Sequence, residues 1–210
     1  MGMHSDFPGN PYKIIDPSHR WIPDAGHIIE TAKHLRKSGA DDTKSVSSPS
    51  EDDLDTARRF LIPPLVNRIR QGVKAWRDSY YSGASETTRL LLNWWFNEEH
   101  VAHAEQGDAS FQYYFAQREA VESALWLYEI EKARDSHALL KYDELDMLSK
   151  SDFCGDWTRY VFKLATGAGK TKVMSLLIAW SYFHKLYEEG SELSQNFLVV
   201  APNIIVLERL

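Results

Sequence analysis

The residues with the clearest capacity for chemistry form the run Ala165-Thr166-Gly167-Ala168-Gly169-Lys170-Thr171, called the phosphate loop below. Its two glycines allow backbone conformations that point successive N–H groups into one concavity, where they can surround anionic oxygens. Lys170 can reach the β- and γ-phosphates of a nucleotide, and the Thr171 hydroxyl can coordinate Mg²⁺. The types and spacing of these residues therefore predict a binding site for nucleotide phosphates.

The elements predicted around the phosphate loop suit that role. Residues 160–164 are a short apolar run that predicts a buried strand, residues 170–187 predict a helix, and residues 196–200 predict a second buried strand. The helix would add the positive end of its dipole to the phosphate site. A strand, a Gly-rich turn, a helix and a strand form a βαβ unit, which implies a parallel sheet. Leu164 departs from the general loop pattern, which has Gly at that position.

Upstream of this unit the pattern is helical. Leu65, Ile69, Val73 and Trp76 form an apolar stripe after a Pro-Pro start, which predicts one helix. Ser85 is placed to cap a second helix through residues 90–96, and a third is predicted at about residues 115–132. We expect an irregular segment at 1–54 with a polar linker at 38–53, a helical accessory region at 55–110, and a nucleotide-binding domain at 111–210.

Composition limits the partners and the compartment. The net charge is −6 and the chain contains seven Trp, ten Tyr and nine Phe, which predicts a folded protein without an extensive basic surface. Any nucleic-acid surface must therefore be local or lie outside this sequence. Cys154 is the single cysteine, which excludes an internal disulfide and fits a reducing compartment. With no signal-peptide pattern and no apolar run of membrane length, the expected location is cytoplasmic.

Three segments resemble motifs of superfamily 2 helicases, most closely the type III restriction enzyme Res subunit group. Residues 162–171 resemble motif I, and in this group Met or Leu often precedes Ala-Thr-Gly, as Leu164 does here. Residues 115–122, Phe-Ala-Gln-Arg-Glu-Ala-Val-Glu, resemble the group's Gln-Arg-Glu-Ala segment, which implies that Gln117 recognises adenine. Residues 197–203 resemble motif Ia, which implies that Pro202 and Asn203 contact the nucleic-acid backbone.

The resemblance implies an α/β protein, with a mainly helical N-terminal region followed by a truncated RecA-like P-loop domain. The cofactors would be ATP and Mg²⁺, held by Gln117 and by residues 166–171, with Lys170 and Thr171 taking part in catalysis and Thr171 coordinating the metal. The activity would be that of an ATP-hydrolysing DNA helicase or translocase of restriction–modification type. Its partners would be double-stranded DNA and a methyltransferase (modification) subunit.

The absence of one motif leaves two alternatives open. In this family an acidic Asp-Glu box and a second motor domain complete the hydrolytic site, and residues 172–210 contain no such box. The sequence therefore predicts an N-terminal fragment of a longer helicase, in which hydrolysis needs a downstream box. One alternative is a non-catalytic nucleotide-binding remnant. The other is a different P-loop enzyme, such as a small-molecule kinase, which would leave the Gln117 segment unexplained.

Other groups of residues favour ordinary structural roles. His100 and His103, beside Glu98 and Glu99, could hold a metal if they shared one face of a helix, but a further ligand cluster is lacking. A solvated helix face explains the basic residues Arg68, Arg70, Lys74 and Arg77. Core packing explains the run Trp94-Trp95-Phe96 better than base stacking does.

Overall fold

The computed structural model describes residues 9–19, 23–38, 48–104, 107–144, 146, 148–149 and 158–200. The helices are α1 (Ala25–Ser38), α2 (Glu51–Leu61), α3 (Val66–Asp78), α4 (Glu86–Asn97), α5 (Phe115–Leu125), α6 (Ser136–Leu140) and α7 (Lys170–Tyr187). Strands β1 (His100–Ala104) and β2 (Gly107–Phe111) form a hairpin, and a π-helical turn, Trp126–Ile130, continues α5. In these ranges no helix is both long and apolar enough to cross a lipid bilayer.

The chain divides into two compact units. The first comprises Met1–Ile15, Val73–Lys132 and Arg159–Leu210, and the second comprises Asp16–Gly72 and Ala133–Thr158. The first unit contains α4, the hairpin, α5 and α7, and α5 packs against both α4 and α7. Its buried apolar side chains include Val73, Trp76, Leu92, Trp95, Phe115, Val121, Leu125, Val173, Leu176 and Trp180. This core fixes the start of α5 and the start of α7 in one unit.

A buried polar chain joins α4, the π-helical turn and α7. Ser85 caps α4 by accepting a hydrogen bond from Thr88 N at 3.2 Å, as its position in the sequence predicts. The Glu129 carboxylate accepts from Ser85 N and, at 2.6 Å, from the Thr88 hydroxyl. The same hydroxyl accepts from Trp180 Nε1 at 2.8 Å. These bonds satisfy the N–H groups that a helix start leaves unpaired and tie them to the middle of α7.

Glu188, directly after α7, also holds the start of α4. Its Oε1 accepts from Thr87 N at 2.8 Å. This hydrogen bonding from Thr87 lowers the pKa of the Glu188 carboxyl below its ordinary value. The negative charge at a helix N-terminus is favourable because of the helix dipole. Glu188 therefore has a structural role in this unit.

The hairpin lies at the end of the region, residues 55–110, that the sequence predicts to be helical. Its strands are antiparallel, with His100 opposite Phe111 and Ala104 opposite Gly107. The hypothesis of a metal site on one helix face is wrong, because the segment that contains His100 and His103 is strand β1. Across the described part of the chain, no group of three or more His, Cys, Asp or Glu side chains is arranged to hold a metal ion.

Of the predicted parallel βαβ unit, only the helix, α7, is observed. Neither residues 160–164 nor residues 196–200 form a strand in the described structure. Both segments border one apolar groove of about 330 Å³ along α7. Val161 is 86% exposed and Leu198 is 89% exposed. A parallel strand needs neighbouring strands and cover on both faces, and no described segment supplies these. The observed class is a mixed helical structure with a small antiparallel sheet.

The second unit contains α1, α2, α6 and residues 66–72 of α3. Helices α1 and α2 pack against each other, and the buried residues Ala32 and Ala57 lie one on each. An Arg36–Asp53 ion pair at 3.7 Å adds to this contact. The structure thus differs from the irregular segment expected over residues 1–54, which contains α1. The buried residue of α1 is an alanine. A sequence pattern based on large apolar residues does not detect such a helix.

We expect the bond between Trp180 and Thr88 to contribute measurably to stability. Trp180→Phe removes the Nε1 donor and leaves space in the core, so the free energy of unfolding should fall by about 1–3 kcal/mol. Trp94→Phe is the matched control, because Trp94 is 53% exposed and its replacement should change stability by less than about 0.5 kcal/mol. Urea denaturation followed by circular dichroism measures both. Equal losses in the two variants would contradict the assigned role of Trp180.

Candidate nucleotide-binding site

The backbone of the phosphate loop has the geometry that its glycines predict. Gly167 has φ 82° and Gly169 has φ 74°, both in the left-handed region. Gly169 is the N-cap residue of α7, which begins at Lys170. An L-residue with a Cβ would raise the energy of such a conformation by about 1–2 kcal/mol. The chain therefore turns at the two glycines and delivers Lys170 and Thr171 to the first turn of a helix, where backbone N–H groups lack intrahelical partners.

The Lys170 amine lies against the phosphate loop. Its Nζ donates to Leu164 O at 3.0 Å and to Ala165 O at 2.9 Å. Ala168 N also donates to Ala165 O, at 3.2 Å. An ammonium group has three donors, so Lys170 keeps one free while the other two hold the loop closed. An oxygen atom of a bound phosphate could accept from this third N–H, and further phosphate oxygens could replace the Leu164 and Ala165 carbonyls as acceptors.

Gln117 connects α5 to the phosphate loop. The side chain is 5% exposed. Its Oε1 accepts from Tyr114 N at 3.0 Å, and its Nε2 donates to Ala168 O at 3.0 Å. A Cβ on Gly169 would stand 2.2 Å from Gln117 Nε2. Gln117 thus caps the start of α5 and packs directly on the loop, and its amide retains one N–H and one lone pair.

The residues around the phosphate loop suit the triphosphate and Mg²⁺. Thr166, Gly167, Lys170 and Thr171 are exposed, and Ala168 is half-buried. The loop contains no acidic side chain that would repel an anion. Lys172, the residue after the loop, lies over an aromatic ring, with its Nζ 5.5 Å from the centre of the Phe111 ring. Phosphates require N–H donors and positive charge, which the main chain of the loop and Lys170 supply. A hard cation requires oxygen ligands, and the Thr171 hydroxyl is one.

The remaining predicted site residues, Pro202 and Asn203, lie outside the described residues, as does Cys154. The sequence did not identify the carbonyl partners of the site, Leu164, Ala165 and Ala168. A main-chain oxygen carries no sequence signal, so only the structure reveals these contacts. The position of Gln117 at the third residue of a helix did carry a signal, since Gln there is typical of a capping box.

We expect Gly169→Ala to disturb the phosphate loop in two separable ways, through the left-handed φ and through the clash with Gln117 Nε2. The first should cost about 1–2 kcal/mol of folding free energy, and the clash should add to it. In a Gln117→Ala background the clash is absent, so Gly169→Ala should then cost only the first part. Urea denaturation of the four combinations measures this coupling. Strict additivity of the two substitutions would contradict the close approach.

Comparison with known proteins finds one family whose model covers the segment that contains this site. Residues 108–210 match the family model described as the type III restriction enzyme, res subunit. The matched segment begins in β2 and includes α5, the phosphate loop and α7. Comparisons with curated proteins and with solved structures gave no match. The resemblance predicted from the sequence is confirmed: residues 108–210, just under half of the chain, are similar to the type III restriction enzyme Res subunit family.

Proposed function

We propose that this chain is the ATP-binding part of an ATP-dependent DNA helicase or translocase of restriction–modification type. The observation that carries the proposal is the geometry of the phosphate loop. Two left-handed glycines, Gly167 and Gly169, deliver a lysine and a threonine to the first turn of α7. The family match over residues 108–210 supports the same function, because helicases of this kind use ATP and Mg²⁺.

In this proposal residues 166–171 bind the triphosphate. Main-chain N–H groups and the dipole of α7 attract the phosphate oxygens, Lys170 neutralises the β- and γ-phosphates, and the Thr171 hydroxyl coordinates Mg²⁺. When bound, the cation withdraws charge from the phosphate oxygens. Hydrolysis further requires an acidic Asp-Glu box and an arginine from a second motor domain. Lys170 and Thr171 then contribute binding and orientation of the phosphates to that step.

The remaining assignments extend the proposal from the site to the whole motor. Residues 111–210 would form part of a RecA-like domain, residues 55–110 would be its accessory region, and residues 1–54 would precede both. Pro202 and Asn203 would contact the backbone of double-stranded DNA, and a methyltransferase subunit would supply modification. The family match over residues 108–210 supports the assignment of residues 111–210, and the acidic overall charge requires the DNA contacts to be local.

Substitution of Lys170 tests whether the phosphate loop binds nucleotide. Lys170→Ala removes the cation that neutralises the β- and γ-phosphates, so the Kd for a fluorescent Mg-ATP analogue should rise by about 100-fold or more. Lys172→Ala is the matched control, since this neighbouring lysine lies over Phe111 and should change the Kd by less than about fivefold. Fluorescence anisotropy of the full chain measures both. Unchanged affinity in Lys170→Ala would overturn the assignment of the site.

Substitution of Gln117 tests whether this residue recognises adenine. If the remaining N–H and lone pair of its amide bind the base, Gln117→Ala should erase the preference for ATP over GTP. If Gln117 acts only by holding Ala168 O, the affinities for ATP and GTP should fall together and their ratio should stay the same. Competition of ATP and GTP for the fluorescent analogue, in the original chain and in the variant, distinguishes the two outcomes. A constant ratio would refute adenine recognition by Gln117.

A further inference from the structure

Glu122, on α5, is a fully buried acid with a complete set of donors. It is 0% exposed. Its Oε1 accepts from Arg118 Nε at 2.8 Å and from the Tyr81 hydroxyl at 2.7 Å. Its Oε2 accepts from Arg77 Nε at 2.9 Å and from Arg77 Nη2. Neither the sequence motifs nor the proposed chemistry of the phosphate loop gives this residue a role.

In this cluster two half-buried arginines share one fully buried carboxylate. The side chains of Arg77 and Arg118 are 10% and 16% exposed, and Glu122 is the carboxylate that both contact. Burial, and secondarily the charge of Glu122, raises the pKa of Tyr81 far above its ordinary value, so the Tyr81 hydroxyl stays protonated and donates. Loss of the carboxylate would leave two guanidinium groups close together without their shared counter-ion. Such partly broken buried pairs are strongly unfavourable.

Both guanidinium groups also hold the first turn of α5. The Arg77 guanidinium lies 5.3 Å from the centre of the Phe115 ring, and Phe115 is the first residue of α5. Arg118 lies 5.3 Å from the centre of the Phe96 ring, donates to Phe96 O at 3.5 Å, and donates to the Tyr81 hydroxyl at 2.9 Å. Glu122 fixes both arginines from the next turn of the same helix. The arginines in turn fix the residues on either side of Gln117.

We propose that Glu122 is a positioning residue for the phosphate loop, acting through the arginines and the first turn of α5 on the bond between Gln117 and Ala168 O. Gln117 lies directly before Arg118, so a rotation of this turn would move its Nε2 away from the Ala168 carbonyl. The loop would then lose this side-chain contact to α5. The inference rests on the proposed function in one respect: the loop that Glu122 positions is the loop proposed to bind ATP.

Hydrogen exchange in the chain without nucleotide tests this inference. Glu122→Gln keeps the shape of the side chain and removes its charge. The hydrogen-bonded backbone amides of the loop and the adjoining turn of α7, those of Ala168, Lys172 and Val173, should then exchange about tenfold faster, because local opening of the loop becomes easier. Thr88→Val is the matched control. It breaks an equally buried hydrogen-bond cluster at α4 and should change exchange in the loop by less than about twofold.

A second variant keeps the test decisive if Glu122→Gln does not fold. Tyr81→Phe removes only the hydroxyl that bonds Glu122 and Arg118, and it should accelerate exchange in the loop by about threefold. Loop exchange that stays unchanged in Tyr81→Phe and in any folded Glu122→Gln protein overturns the inference. Exchange that rises equally throughout the first unit also overturns it, because that result reports general destabilisation.

Combining these substitutions with Gln117→Ala shows whether Glu122 positions the loop through Gln117 or only stabilises the fold. If Glu122 acts through Gln117, Gln117→Ala alone should accelerate loop exchange, and adding Glu122→Gln or Tyr81→Phe should then change it by less than about twofold. Full additivity would contradict the proposed route. Because this readout needs no nucleotide, it is independent of the ATP assignment. Failure of ATP binding in the Lys170 experiment would remove the proposed function and leave the positioning result standing.

Discussion

The contact between Gln117 and the phosphate loop is the constraint on which the site depends. Gln117 Nε2 donates to Ala168 O, and a Cβ at the next residue would stand 2.2 Å from the same nitrogen. Gly169 is therefore required twice, once for its left-handed φ and once for the close approach of a neighbouring side chain. This contact holds the N-terminus of α5 at a fixed distance from the N-terminus of α7. The packing of α5 on α7 keeps that separation fixed.

Local patterns predicted the parts of this arrangement that local chemistry determines. The bounds of α7 and the cap of α4 at Ser85 agree with the sequence, because each follows from a few adjacent residues. The glycine conformations of the phosphate loop were predictable for the same reason. The partner of Gln117 was not, because Ala168 lies 51 residues further along the chain and contributes only a main-chain oxygen. Glu122 presents the same difficulty, since its i,i+4 pairing with Arg118 is local whereas Arg77 and Tyr81 are distant in sequence.

The strands were predicted poorly because a strand depends on its neighbours. Residues 160–164 and 196–200 have the apolar composition of buried strands, yet side chains such as Val161 and Leu198 are exposed in the described structure. An apolar run provides the surface for a sheet, and the hydrogen-bonding partners must come from elsewhere. The β1–β2 hairpin is the opposite case. Its sequence lacks the regular alternation of large apolar and polar residues, but its two strands are adjacent in the chain and supply each other's partners.

The hydrogen bonds of Lys170 indicate how the phosphate loop would give up its internal contacts when a nucleotide binds. In the observed state the ammonium group bonds two neutral carbonyl oxygens, Leu164 O and Ala165 O. A phosphate group is an anion, so its bond to the ammonium group joins two opposite charges, whereas the present bonds join a cation to neutral carbonyls. Ala165 is exposed, so water can bond to its carbonyl once the amine leaves, and little is lost by releasing it. The internal bonds of Lys170 therefore keep the loop ordered without competing strongly with a phosphate.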